Sequence, residues 1–160
     1  MLPPMVFSGH SLNIASEPKA PDLQIFILAV MNSFVIDYYL RQQVSANLTM
    51  FFIYQCPVPR IDSSDLRFHP IANRCARLVC NTEEFDKLAI ELNLSSYRSG
   101  ATDPTERACL RAELDGLVAH LYGLTEDEFA HILASFPLVA EPVKQAARNA
   151  YRDVERGLIQ

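Results

Sequence analysis

From Leu23 to Leu40 the chain is strongly apolar, broken by Gln24, Asn32, Ser33 and Asp37. Pro21 near a first helical position, with Asp22 in the first turn, predicts a helix that continues to about Val44. Ile25, Leu28, Ala29, Val35, Ile36 and Tyr39 fall on one face of it, and Asn32 interrupts that stripe. A turn around 45–47 follows. Leu48 to Tyr54 is short and rich in Phe, Ile, Thr and Tyr, which predicts a buried strand. Pro57 and Pro59 would end it, since proline cannot donate to a ladder. Met5-Val6-Phe7 predicts another short strand ahead of a turn at Ser8-Gly9-His10-Ser11.

From Pro70 onward the helical period takes over. Ile71, Cys75 and Leu78 share a face. Asn81 or Thr82 can cap a helix running to about Leu92, with Phe85, Leu88, Ala89 and Leu92 inward. Asp103-Pro104-Thr105-Glu106 is a strong helix start, followed by a stripe of Leu110, Leu114, Leu117, Val118 and Leu121. Gly123 supplies the left-handed stop. Thr125-Glu126-Asp127-Glu128 is a capping box opening a short helix with Phe129, Ile132 and Leu133 inward. A last helix over 140–157 would bury Val143, Ala147, Tyr151 and Val154. The fold class expected is α+β, mainly α-helical. Its C-terminal part is bundle-like, with one or two short strands, 5–7 and 48–54, near the N-terminus. The polar connection from Arg60 to Pro70 divides the chain into 1–60 and 61–160.

Length and composition restrict this picture. The 160 residues, 49% apolar and 21% charged, suffice for one ordinary core. The net charge of −5 argues against a free-standing basic nucleic-acid binder. The charge is uneven: residues 1–80 carry net +1 and residues 81–160 net −6, so a polyanion would meet the first half. The N-terminus has neither a basic region nor a continuous apolar run and does not read as a signal peptide. The apolar stretch at 23–40 falls short of the roughly 20 uninterrupted residues that cross a bilayer. A cytoplasmic location without membrane contact is expected, and Asn47-Leu48-Thr49 and Asn93-Leu94-Ser95 then carry no glycan. Cys56, Cys75, Cys80 and Cys109 fit no zinc spacing and read as small reduced core residues.

Catalytic signatures are missing. No glycine-rich phosphate loop and no Gly-x-Ser-x-Gly elbow occurs, and glycine totals five. Glu128-x-x-His131 has the spacing of a di-iron half-site, but Glu128 is better explained as the partner of Thr125. His120 and His131 read as helix-surface residues, with Asp115 on a different face from His120. Asn32-Ser33 within an apolar helix reads as a structural polar pair, or else as a group facing DNA. Arg41-Gln42-Gln43 carries side chains able to read guanine and adenine edges, although arginine also suits a helix C-terminus for ordinary reasons. Arg67, Arg74 and Arg77 form a second cluster, suited to phosphates or to a solvated face.

Two stretches together carry a family resemblance. The first is Val30-Met31-Asn32-Ser33-Phe34 through Arg41-Gln42, then Asn47 to Ile53, then Pro57-Val58-Pro59. The second is Glu106 to Thr125, containing Arg111-Ala112-Glu113-Leu114-Asp115 and Tyr122-Gly123-Leu124-Thr125, and continuing through Ile132-Leu133 and Phe136-Pro137. Both resemble the C-terminal region of large adenine-specific DNA methyltransferases of type II restriction–modification and phage-defence systems. The first also resembles the close of target-recognition domains in type I specificity subunits. The family's Asn/Asp-Pro-Pro-Tyr/Phe catalytic loop and its S-adenosylmethionine motif are absent from this sequence, and Met31 stands where leucine is usual.

The resemblance implies a non-catalytic C-terminal region, with no active site or cofactor in this chain. The parent would be an S-adenosylmethionine-dependent enzyme that flips adenine and methylates its N6. Residues 1–60 would be the end of a target-recognition segment and 61–160 a helical support. Partners implied are double-stranded DNA, met through the parent, and the catalytic methyltransferase domain. Unpaired strands would also allow a homodimer. Arg41, Gln42, Gln43 and Arg60 are the expected DNA contacts. The competing reading is a helical protein–protein interaction module that never touches DNA, and steep salt dependence of binding separates the two.

Overall fold

A computed structural model describes residues 20–43 and 48–159. Every regular element among them is helical: α1 (Pro21–Met31), α2 (Phe34–Gln43), α3 (Met50–Tyr54), α4 (Phe68–Val79), α5 (Asp86–Glu91), α6 (Pro104–Leu121), α7 (Glu126–Ala134) and α8 (Glu141–Glu155). Short 3₁₀ turns occupy Glu83–Phe85 and Tyr97–Ser99. The fold is therefore a bundle-like all-α arrangement, not the mixed α+β fold expected. Met5–Phe7 lie outside the described residues.

The expected strand at 48–54 is helix α3. Its first turn closes on Thr49, whose carbonyl accepts from the amides of Phe52 at 3.1 Å and Ile53 at 3.3 Å. Aromatic and β-branched residues favour strands only where a neighbouring strand presents a pleated, half-buried surface. No strand stands among the described residues to offer one, so local helical bonds prevail. The edge on which pairing between two copies would rest is accordingly replaced by a helical turn.

The long helix expected over 21–44 is two helices, bent by 64° between Met31 and Phe34. Asn32 ends α1 in a non-helical conformation and donates its side-chain amide to the Leu28 carbonyl at 2.8 Å. Ser33 starts α2. Its buried hydroxyl donates to the Val30 carbonyl at 2.7 Å and accepts from the Ile36 amide at 3.3 Å, the bond of an N-cap. No single helix among the described residues is long and apolar enough to cross a membrane, and α1 and α2 reach that length only as this bent pair. Ile25, Phe26, Val30 and Ile36 are buried in the protein core instead.

The starts of α6 and α7 follow local chemistry, whereas α5 and α8 begin without a side-chain cap. Asp103 accepts from the amides of Thr105 and Glu106, both at 2.9 Å. Gly123, at φ 67°, closes α6 with a Schellman pair: its own amide bonds the His120 carbonyl at 2.9 Å and the Leu124 amide bonds Ala119 at 3.1 Å. Thr125 and Glu128 form a reciprocal capping box. Helix α6 is the central element, packing on α8 along one side and on α4 along another. Gly116 permits the closest approach to α8. A Cβ there would stand 2.7 Å from the Tyr151 nitrogen and 2.8 Å from the Ala150 carbonyl carbon.

One apolar core joins residues from both sides of position 60. Phe26 of α1 stacks on Phe68 of α4 with centroids 4.9 Å apart, and both side chains are buried. Cys75 and Cys80 are buried among apolar residues of the same core, as small core cysteines should be, whereas Cys109 is exposed and donates to Glu113 at 3.3 Å. Val143, expected inward, is half exposed, and the buried side of α8 is Ala147, Ala150 and Tyr151.

Candidate functional site

Arg41, Gln42 and Gln43 form the exposed last turn of α2, and Arg60 is exposed on the loop after Pro59. The Arg41 guanidinium is already engaged: it donates in a bidentate pair to Asp37, at 2.9 and 3.1 Å, and lies 4.8 Å over the Phe136 ring. A DNA contact from Arg41 would have to displace or share those partners. Gln42, Gln43 and Arg60 lie along a segment, 38–61, without an acidic residue. The structure thus brings Arg41, Gln42 and Gln43 together, with Arg60 on a separate loop.

The second arginine cluster is likewise paired. Arg74 bonds Glu113 of α6 at 2.6 Å, and Arg77 bonds Glu106 of α6. Arg67 bonds Asp65 at 2.6 Å, and this pair holds the Asp65 carboxyl down at about 2. These arginines therefore clamp α4 on α6 and close the loop before α4. Glu126 takes Arg148 at 3.1 Å and Arg152 at 2.6 Å, joining α7 to α8.

Helix α3 carries the largest exposed aromatic surface of the described residues. Leu48, Phe51 and Tyr54, spaced three apart, are 43, 64 and 80% exposed, and no α3 residue is buried. Sequence reasoning missed this surface because it assigned the same run to a buried strand. The Tyr39 hydroxyl donates to the Gln55 carbonyl at 3.3 Å, which ties the end of α3 to α2. Tyr122 donates to the Pro57 carbonyl at 2.9 Å, so the loop after α3 is held to the end of α6.

A second site lies at the elbow of α1 and α2. The Phe34 amide, first in α2, donates to the Asp115 carboxylate of α6 at 3.0 Å. Burial pushes the Asp115 carboxyl up to about 7, against the opposing pull of the Phe34 bond. Asp115 borders an open cleft of about 480 Å³ walled by Leu28, Phe34, Leu78, Leu114 and Val143. His120 itself is not a free surface histidine: its ring stacks on Tyr151 at 4.1 Å and its Nε2 bonds the Tyr151 carbonyl at 2.9 Å. His131 packs its edge against Tyr38, with ring centroids 6.3 Å apart. Glu128 is occupied by its capping box rather than paired with His131.

No family model, no curated protein and no solved structure matches the chain.

Proposed function

We propose that the chain is a helical docking module, non-catalytic by itself, and that the α3 edge is the surface through which it works. The observation that carries this reading is the exposure of Phe51 and Tyr54 on α3, none of whose residues is buried, with exposed Leu48 just before it. Exposed aromatic clusters of this kind mark interaction surfaces, because large apolar side chains gain most from being covered. The partner proposed is the catalytic part of an adenine-specific DNA methyltransferase. Leu48 and Phe51 belong to the stretch, Asn47 to Ile53, that resembles that family. S-adenosylmethionine and the flipped adenine would then be held by the partner.

A second reading, direct support of DNA recognition, is favoured by exposed Gln42, Gln43 and Arg60 on a segment without acidic residues. Anisotropy of a labelled duplex, titrated with the full chain over a range of salt, separates the two. Phosphate contacts make affinity fall steeply with salt. Weak, salt-insensitive binding is expected, together with an α3-dependent complex when the chain is mixed with such a catalytic domain. Tight duplex binding that weakens with salt and is lost in Arg60→Ala would overturn docking in favour of DNA contact.

A further inference from the structure

We infer that the cleft at the α1–α2 elbow is a binding site for a small organic cation, an ammonium group on a short apolar body, with Asp115 as its counter-ion. None of the residues used belongs to α3, so the inference stands apart from the docking reading.

The floor of the cleft carries an incompletely used acid. Among the described residues the Asp115 carboxylate has one hydrogen bond, from the Phe34 amide, and no ion pair. That leaves one oxygen for an outside donor. A carboxylate taken out of water without a cation is a costly group, and an ammonium supplies what it lacks. Part of the wall beside it is apolar, from Leu28 of α1, Phe34 of α2, Leu78 of α4, Leu114 of α6 and Val143 of α8, and Arg107 and Arg111 of α6 line the rest. Their volume, about 480 Å³, is that of small-ligand sites.

Other charged groups stand around the cleft, among them the Arg107 and Arg111 side chains that line it. From α2, Asp37 is held by Arg41. From α6, Arg107 donates to the carbonyls of Leu78 at 2.9 Å and Ala101 at 2.8 Å, and Arg111 is exposed at the rim. From α4, burial pushes the Cys75 thiol up to about 12, so it stays neutral. Arg74 and Arg77 of the same helix bond Glu113 and Glu106. From α8, Lys144 beside Val143 pairs with Glu141 at 3.7 Å. Helix α1 offers only the Asn32 side-chain amide, which bonds Leu28. Among the described residues, Asp115 is thus the one acid lining the cleft that has no ion pair.

The test is a titration of the full chain with n-butylammonium, followed by the amide resonance of Phe34. Butanol and valerate, of similar size, serve as the neutral and anionic comparators. Saturable movement of the Phe34 signal by the amine alone is expected. Its affinity should rise about ten-fold between about pH 6 and pH 8, as Asp115 ionises while the amine stays charged. Asp115→Asn should weaken the amine at least about ten-fold, the scale of one charge-assisted bond. Should that variant fail to fold, the wild-type pH profile carries the same test. Equal binding of butanol, tighter binding of valerate, a flat pH profile or no saturation by the amine would each overturn the proposal. Tighter valerate would place the anchor at Arg111.

Discussion

The amide of Phe34 and the carboxylate of Asp115 meet at 3.0 Å although 81 positions separate them in the chain. This bond pins the start of α2 to the middle of α6. A negative charge at a helix N-terminus is favourable in itself. Here the site is so poorly hydrated that burial outweighs both the helix and the hydrogen bond, and the carboxyl rises from 3.8 to about 7.

That shift has a definite sign. Between those two values the folded protein holds a proton that the unfolded chain has released, so this group makes the fold less stable as pH rises toward 7 and adds no further change above it. The ionised acid costs at most about 4 kcal/mol relative to the neutral one. Asp115→Asn keeps an acceptor for Phe34 and removes the titration. The variant should be more stable than wild type at about pH 8, and the gap should close toward about pH 5. Urea unfolding of both proteins across this range measures the gap. The opposite carboxylate, Asp65 at about 2, titrates outside the window. A gap that does not change with pH would show that Asp115 is ordinary.

The elbow itself makes a second prediction, because its two polar residues do unequal work. Ser33 is buried and makes two backbone hydrogen bonds across the break, whereas Asn32 is exposed. Ser33→Ala removes the N-cap acceptor of α2 and should cost about 1–2 kcal/mol. Asn32→Ala should stay within about 0.5 kcal/mol of wild type. Chemical denaturation of the two single variants decides the order, and equal losses would show that the break is not held by Ser33.

How much of this was legible follows the range of the forces involved. The starts of α6 and α7 and the stop at Gly123 are local chemistry, and Asp103-Pro104, Thr125-Glu128 and Gly123 are where the sequence puts them. The break after Met31 was not legible. The Phe34 amide that begins the second helix is taken by Asp115 on a helix distant in the chain. The residue pattern of α3 suits a strand, and only the lack of a strand beside it makes it a helix. The pairing of Arg41 with Asp37 one turn back was readable from the i, i+4 spacing, and it qualifies the DNA contact assigned to that arginine.

Gly116 and Gly123 provide a matched pair. By helix propensity alone, Gly116→Ala would stabilise α6 by about 1 kcal/mol. The backbone of α8 stands in the way, at 2.7 Å from the new Cβ, and cannot yield without separating the two helices. A net loss of about 3 kcal/mol is expected, at the upper end of overpacking costs. Gly123→Ala meets no atom within 4 Å, yet places a side chain at φ 67° and should cost about 1–2 kcal/mol. Both variants should melt below wild type, Gly116→Ala further. A rise in melting temperature for Gly116→Ala would mean that α6 and α8 do not approach at Gly116 as closely as described.

The α3 surface can be checked without any partner in hand. Phe68 is buried and stacked on Phe26, and truncating it to alanine should cost about 3–5 kcal/mol. Phe51 and Tyr54, 64 and 80% exposed, make no such contribution. The double variant Phe51→Ser with Tyr54→Ser should therefore unfold within about 0.5 kcal/mol of wild type. It should also lose association with the catalytic domain, because the apolar area that association would cover is gone. Calorimetry of the double variant beside Phe68→Ala makes the comparison. A loss as large as that of Phe68→Ala would mean that this chain already covers Phe51 and Tyr54 with its own residues. The docking surface would then have to be sought elsewhere on the bundle.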